Sequence, residues 1–206
     1  RDSLQAFDKL THVVDGERWI TSDPPLITPI GDLDPGTERE ELEQTVRRLV
    51  GGYARSLSTE RKSLLERFHL VDMARKVVGV GSVGTRCWIV LMEGRDDSDP
   101  LLLQAKEAGE SVLAPYCPPG RYDNQGKRVV AGQRLMQANS DIFLGWERVI
   151  GMDGRLRDFY VRQLRDWKGT PRPETMPPDM LRLYAGLCGA SLARAHARSG
   201  DPVALA

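Results

Sequence analysis

Lys76-Val77-Val78-Gly79-Val80-Gly81-Ser82-Val83-Gly84-Thr85-Arg86-Cys87-Trp88-Ile89-Val90-Leu91-Met92 is the stretch that decides how this chain folds. A β-branched run, Val77 to Gly81, leads into glycines, and a second strand-like run, Thr85 to Met92, follows them. Two known arrangements use a Gly-x-Gly-x-x-Gly pattern. In a dinucleotide-binding domain the glycines end a strand and open a helix whose N-terminus holds a pyrophosphate. Here the sequel is dense in β-branched and aromatic residues and poor in helix formers, and the strand that should end in a ribose-binding acid is absent. The glycines therefore read as the tip of a β-hairpin.

Downstream, Glu93 to Pro100 is a polar turn and Leu101 to Ala105 a third apolar run that ends at Lys106. Together these make a three-stranded antiparallel meander with the glycines in its first turn. A helix is expected over Gly126 to Ala138. Two further strands are expected over Ile142 to Trp146 and Phe159 to Leu164, joined by the turn Gly151-Met152-Asp153-Gly154. Pro171, Pro173, Pro177 and Pro178 mark a linker, after which Asp179 caps a long helix carrying Leu183, Tyr184, Leu187, Cys188, Leu192 and Ala195. Upstream, Asp23-Pro24-Pro25, Pro29, Gly31 and Pro35-Gly36 make residues 1–36 irregular, with Leu26, Ile27 and Ile30 in an extended segment lying on a core. Thr37 and Glu40 form a capping-box pattern that opens a helix with Leu42, Val46, Leu49, Val50 and Tyr53. A second helix starts at Ser58, with Leu64, Leu65, Phe68 and Leu70 as its apolar side. The expected class is α+β: an N-terminal irregular and helical segment (1–75), a nucleotide-binding antiparallel sheet lobe (76–170), and a proline linker with a C-terminal helix (171–206).

Composition narrows the function. Among 206 residues, 29 Lys and Arg balance 29 Asp and Glu, so no global basic field points to a nucleic acid or a membrane surface. The longest apolar run, around Cys87 to Met92, is strand-length and far short of a membrane span. Cys87, Cys117 and Cys188 are widely spaced with no CxxC pair, and His12, His69 and His196 are scattered, so neither a disulfide framework nor a structural zinc site is expected. We read the thiols as those of a reduced, cytoplasmic protein. Because the chain opens on Arg1-Asp2, with neither an initiator Met nor an apolar leader, we expect a piece of a longer protein.

A glycine-tipped hairpin followed by a strand-terminal lysine is the arrangement of a kinase-type nucleotide site. The hairpin folds over the phosphates and the lysine of the third strand reaches their oxygens. Residues without a Cβ let backbone N–H groups approach phosphate, and an ammonium offsets the charge they gather. Gly79, Gly81, Ser82 and Gly84 would cradle phosphates and Lys106 would neutralise them. The plain alternative is a structural hairpin turn and a lysine that snorkels to solvent. Such a lysine needs an acidic partner. Glu107 points to the opposite face if the strand continues, and Glu110, if it begins a short helix, is the candidate; a solvated turn is the competing reading for both. The connector Gln163 to Asp166 would present its backbone to the base, with Gln163 and Arg165 as binding residues. Arg162, Arg165, Asp166 and Lys168 are more charge than a quiet edge strand requires, serving either a phosphate or acidic substrate or pairing among themselves. No His-Arg-Asp or His-Gly-Asp followed by Asn appears, and Asp158-Phe159-Tyr160 lacks the glycine of a metal-binding triplet. His196 to Asp201 sits where a catalytic loop would begin, but His196 reads as a packing or capping residue.

The runs Lys76 to Cys87, Leu103-Gln104-Ala105-Lys106-Glu107-Ala108, Gly132 to Gln137, Tyr160 to Asp166 and Ala193 to Asp201 resemble an uncharacterised bacterial family, domain of unknown function 2252. The resemblance covers nearly the whole chain. It implies distant similarity to protein kinases and aminoglycoside phosphotransferases, with catalytic acids in a Gly-Asp-x-His-x-x-Asn-like segment N-terminal to this region, an order permuted relative to ordinary kinases. On that basis the chain is expected to be the ATP-binding, N-lobe-like part of a kinase-like phosphotransferase. ATP and Mg²⁺ are its cofactors, Mg²⁺ arriving with the nucleotide, and the acceptor is an unknown small molecule or protein. No catalytic or metal-ligating residue is assigned within the chain. The alternatives are a non-catalytic, pseudokinase-like module that binds a nucleotide or a protein, and a glycine-tipped sheet with no ligand.

Overall fold

A computed structural model of the chain describes residues 7, 9–33, 48–77, 84–96, 98–118, 120–151, 154–164, 171–201 and 203. It divides into two units, one formed by residues 1–130 and 141–166, the other by 131–140 and 167–206.

The first unit is built on a six-stranded antiparallel sheet in the order β3-β4-β5-β6-β8-β7. Its strands are β3 (Ile27–Pro29), β4 (His69–Lys76), β5 (Cys87–Glu93), β6 (Pro100–Glu107), β7 (Gly145–Ile150) and β8 (Leu156–Gln163). The α+β class follows the expectation, and so do the second and third strands of the meander; the run expected as its first strand, Val77 to Gly81, is not β4, which ends at Lys76, and Val78 to Gly81 lie outside the described residues. Strand β4 starts at His69, so Leu70 belongs to it rather than to a helix. A register shift between Leu70 and Asp72 breaks the alternation that would have marked this strand. Asp72 is held there by two N–H donors, from Ile20 (2.9 Å) and Met73 (2.7 Å). The helix expected before it, α2 (Thr59–Leu65), is shorter than expected and ends at Leu65.

Two cores lie on opposite faces of the sheet, as the two-residue period of strands requires. One contains Met73, Val90, Met92, Leu101, Leu103 and Val161 beneath Tyr53, Ala54 and Leu57. Residues 48–54 are helical, so the described end of the helix expected from Thr37 is present; Thr37, Glu40, Leu42 and Val46 lie outside the described residues. The Tyr53 hydroxyl donates to the carbonyl of Phe143, tying that helix to the segment before β7. The other core contains Phe7, Ile20, Ile27, Ala74, Ile89, Leu91 and Leu102. It is covered by a hairpin, β1 (Thr11–Val14) and β2 (Glu17–Ile20), in a region the sequence presented as irregular. Asp15 (φ 52°) and Gly16 (φ 82°) form its two-residue turn, the Asp-Gly pair such turns favour. Between β3 and the helical stretch lies the single turn α1 (Ile30–Leu33).

Helix α3 (Gln125–Met136) follows β6 as expected. The side chain of Asn124 accepts the Lys127 N–H (2.8 Å), a side-chain cap of the helix N-terminus. Asp158 of β8 accepts the Gln125 N–H (2.7 Å). A Cβ at Gly126 would run into the carbonyl oxygen of Phe159, so glycine permits the close helix–strand approach. Strand β7 starts at Gly145, later than expected, and leaves Ile142 exposed. In the second unit, α4 (Pro178–Ser199) begins with Pro178, and Asp179 lies within its first turn instead of capping it. There Arg198 donates to the carbonyls of Leu135 (3.1 Å) and Met136.

Burial works against ionised Asp158, but hydrogen bonds from Arg148 (2.6 Å) and the Gln125 N–H outweigh it and hold the carboxyl below the ordinary range. A carboxyl lowered on folding adds stability above its unfolded pKa and loses it as the pH falls through the folded one. Asp158→Ala should therefore cost about 2–3 kcal/mol in urea unfolding at pH 7. The gap from the parent protein should narrow steadily as the pH is taken below the ordinary carboxylate range.

Candidate functional site

Lys106 is the penultimate residue of β6, level with Cys87 on β5 and Tyr160 on β8. Two residues back, Gln104 is level with Ile89 and Arg162. Alternation puts all six side chains on one face, at the end of the sheet where the glycine-rich segment joins β4 to β5. Gly79, Gly81 and Ser82 lie outside the described residues, as does Arg165. Gly84, the last of the motif, is exposed at φ 83°, in the left-handed region where a side chain would strain the backbone.

The electrostatics of this face are one-sided. Desolvation pushes the buried Cys87 thiol up, against the charges of Lys106, Lys76 and Arg162 and a hydrogen bond with Gln104. Desolvation likewise raises Tyr160, against the charge of Arg162. Among the described residues no carboxylate forms an ion pair with Lys106 or Arg162. The Nε of Arg162 is fully buried and has no hydrogen-bond partner. A buried donor left unpaired is costly, and two neighbouring cations without a counter-charge form a site that favours an anion.

The acids fall elsewhere. Strand β6 continues through Glu107, which turns to the opposite face and accepts from the Arg86 N–H (3.0 Å) and pairs with Arg86 (3.3 Å) and Arg157 (3.3 Å). Glu110 stands in exposed coil beyond the strand, in no helix. Helix α3 contains no acidic residue. Among the described residues no group of His, Cys, Asp and Glu is arranged to hold a metal ion.

At the end of β8, the buried Asp141 accepts the N–H groups of Phe143 (2.8 Å) and Gln163 (2.8 Å). The Leu164 N–H donates to the Leu102 carbonyl (2.8 Å). Both N–H groups at the start of the connector are thus engaged within the protein, which leaves Gln163 its side chain. Asp141 escaped the sequence reading; its signal was a short acidic side chain two residues before a buried aromatic, the pattern of an Asx turn. Arg162 stood out only as surplus charge on an edge, whereas β8 lies between β6 and β7.

The fold and this face define an α+β protein with an antiparallel sheet on which, among the described residues, no carboxylate pairs with the neighbouring Lys106 and Arg162. The chain belongs to DUF2252, a family of uncharacterised proteins conserved in bacteria, whose model matches residues 1–206. None of the curated proteins and none of the solved structures matches it. No helix among the described residues is long and apolar enough to cross a membrane.

If Arg162 serves a ligand rather than the fold, Arg162→Met should leave the unfolding free energy within about 1 kcal/mol of the parent, because an unpaired donor is replaced by an apolar stem. A urea unfolding curve checks this, and a loss above about 2 kcal/mol would make the guanidinium structural.

Proposed function

We propose that the sheet of the first unit is the ATP-binding part of a kinase-like phosphotransferase. The observation that carries this reading is the pair of uncompensated cations, Lys106 and Arg162, on the sheet face beside the glycine-rich turn. The order of elements supports it. A hairpin carries the glycines, the third strand carries the lysine, a helix follows, and the last strand returns to lie beside the third. That is the succession of a kinase N-lobe, in which a glycine-rich loop covers the phosphates and the third-strand lysine contacts them. Gly79, Gly81, Ser82 and Gly84 would approach the phosphates through their backbone, and Lys106 would neutralise charge, with Arg162 beside it. Gln163 and Arg165 would border the base, Gln163 through its side chain. Mg²⁺ would enter with the nucleotide.

The chain departs from the kinase pattern in that α3 offers no glutamate to hold the lysine, and in that the Gln163 and Leu164 N–H groups at the start of the connector are engaged within the protein. The catalytic carboxylates would lie outside this chain, in a permuted order, and the acceptor is a small molecule or protein of unassigned class. The missing glutamate and the lack of a metal-holding group among the described residues favour, as a second reading, a nucleotide-binding module that does no chemistry.

A thermal melt with and without Mg-ATP tests the binding that both readings share. At a hundredfold excess over Kd the nucleotide should add about 2.7 kcal/mol, a rise of several degrees. Lys106→Ala and Arg162→Met should each erase most of that rise. Equal rises in the parent and both variants would remove the phosphate from this face. A γ-phosphate assay on a longer chain that includes upstream sequence then separates the enzyme from the module.

A further inference from the structure

The polar groups of the proposed nucleotide site are unevenly divided between the two ends of a nucleotide. For the phosphates there are Lys106 of β6 and Arg162 of β8, on neighbouring strands, with Arg162 level with Gln104, two residues back along β6. Both are partly exposed. Among the described residues no carboxylate pairs with either, and the Nε of Arg162 has no partner. Strands lie about 4.8 Å apart and rise about 3.4 Å per residue, which roots the two cations about 8 Å from each other. Each can then take a different phosphoryl group of one condensed chain, whereas a single phosphate would have to draw the like charges together.

The groups that could read a base are fewer, and most are spent. The Gln163 N–H donates to Asp141 (2.8 Å) and the Leu164 N–H to the Leu102 carbonyl (2.8 Å). Gln104 is 6% exposed, and its side chain is hydrogen-bonded to the buried Cys87. Of these groups only the Gln163 side-chain amide is left to a ligand. It carries an acceptor and two donors and can turn to present either, so it suits the edge of adenine and of guanine alike. Discrimination between bases needs fixed donors and acceptors that the wrong base leaves unpaired. The fixed donors of Gln163 and Leu164 face the protein.

We infer that this site reads the condensed phosphate chain of its ligand and is indifferent to the base, so that ATP, GTP and inorganic tripolyphosphate are ligands of one class. The inference rests on the nucleotide reading above and narrows it: Lys106 and Arg162 supply the affinity through charge-assisted hydrogen bonds, and Gln163 borders whichever base is attached without selecting it.

Isothermal titration of the whole chain with ATP, GTP, tripolyphosphate, AMP and adenosine, each with equimolar Mg²⁺, tests the inference. GTP and tripolyphosphate should bind within about tenfold of ATP, and AMP and adenosine should bind at least about tenfold more weakly than ATP. Lys106→Ala and Arg162→Met should each weaken ATP and tripolyphosphate alike, by about tenfold or more. If ATP binds and either GTP or tripolyphosphate lags it by more than about tenfold, or if AMP or adenosine matches ATP, the inference falls while the nucleotide reading stands. A variant that weakens ATP and spares tripolyphosphate would also overturn it, because the two ligands would then not share the cations. If neither ATP nor tripolyphosphate binds, the inference and the nucleotide reading fall together. Should a variant melt below the assay temperature, the ligand series on the parent protein still decides the matter.

Discussion

Strand β6 is held between β5 and β8, so every residue from Pro100 to Glu107 is assigned to one face or the other with no freedom to slip. Leu101 and Leu103 fill one core, Leu102 enters the other, and a shift of one residue would exchange them. The chemistry at the strand's end follows from that register. Lys106 is delivered to the face of Cys87, Tyr160 and Arg162, while Glu107, its neighbour in sequence, is delivered to the face of Arg86 and Arg157. Adjacent opposite charges that might have neutralised each other in a loop are separated by the sheet itself. Among the described residues Glu107 cannot partner the lysine, because packing of the leucines leaves it no way to turn round.

The same logic explains where the site is rigid. Asp141 takes the Gln163 N–H and Leu102 takes that of Leu164, so the chain leaves β8 along a fixed path. Asp158 ties β8 to the first turn of α3 while Arg148 holds Asp158, and Asn124 caps the helix from its own side. Each of these acids serves N–H groups that would otherwise be buried without partners, which is structural work. Asp141 and Asp158 are thus committed to the frame around the cationic face.

Much of this frame could be read from the sequence where one signal dominated. Cys87 to Met92 and Leu101 to Ala105 are dense enough in apolar residues to be strands under any reading, and the glycines ahead of Cys87 read as the turn of a hairpin. The reading failed where signals conflicted. Strand β4 mixes Asp72, Arg75 and Lys76 with its apolar residues and is interrupted by a bulge, so neither period stood out. Prolines at 24, 25, 29 and 35 outweighed the Asp15-Gly16 turn that announces β1 and β2. At the site, Lys106 was legible because a charge ending an apolar strand is unusual. Arg162 was obscured by the charges that follow it, and its importance depends on a strand order that no local pattern reveals.

Separating the two faces also bears on the proposed nucleotide site, whose following helix carries no glutamate. Where such a glutamate is present it positions the lysine before the nucleotide arrives, and the nucleotide joins an existing ion pair. Here α3 supplies none, and among the described residues no carboxylate pairs with Lys106 or Arg162. On the proposed reading the first effect is on binding: a phosphate would lessen the repulsion between the two cations and satisfy the buried Nε of Arg162, so affinity would come from relief of a defect in the unliganded protein. The second would be on orientation, because a lysine with no carboxylate to hold it would take its position from the phosphate alone. Under that proposal the sheet would be better suited to collecting a nucleotide than to aligning it, because nothing on the described face would hold the lysine in place before the phosphate arrived.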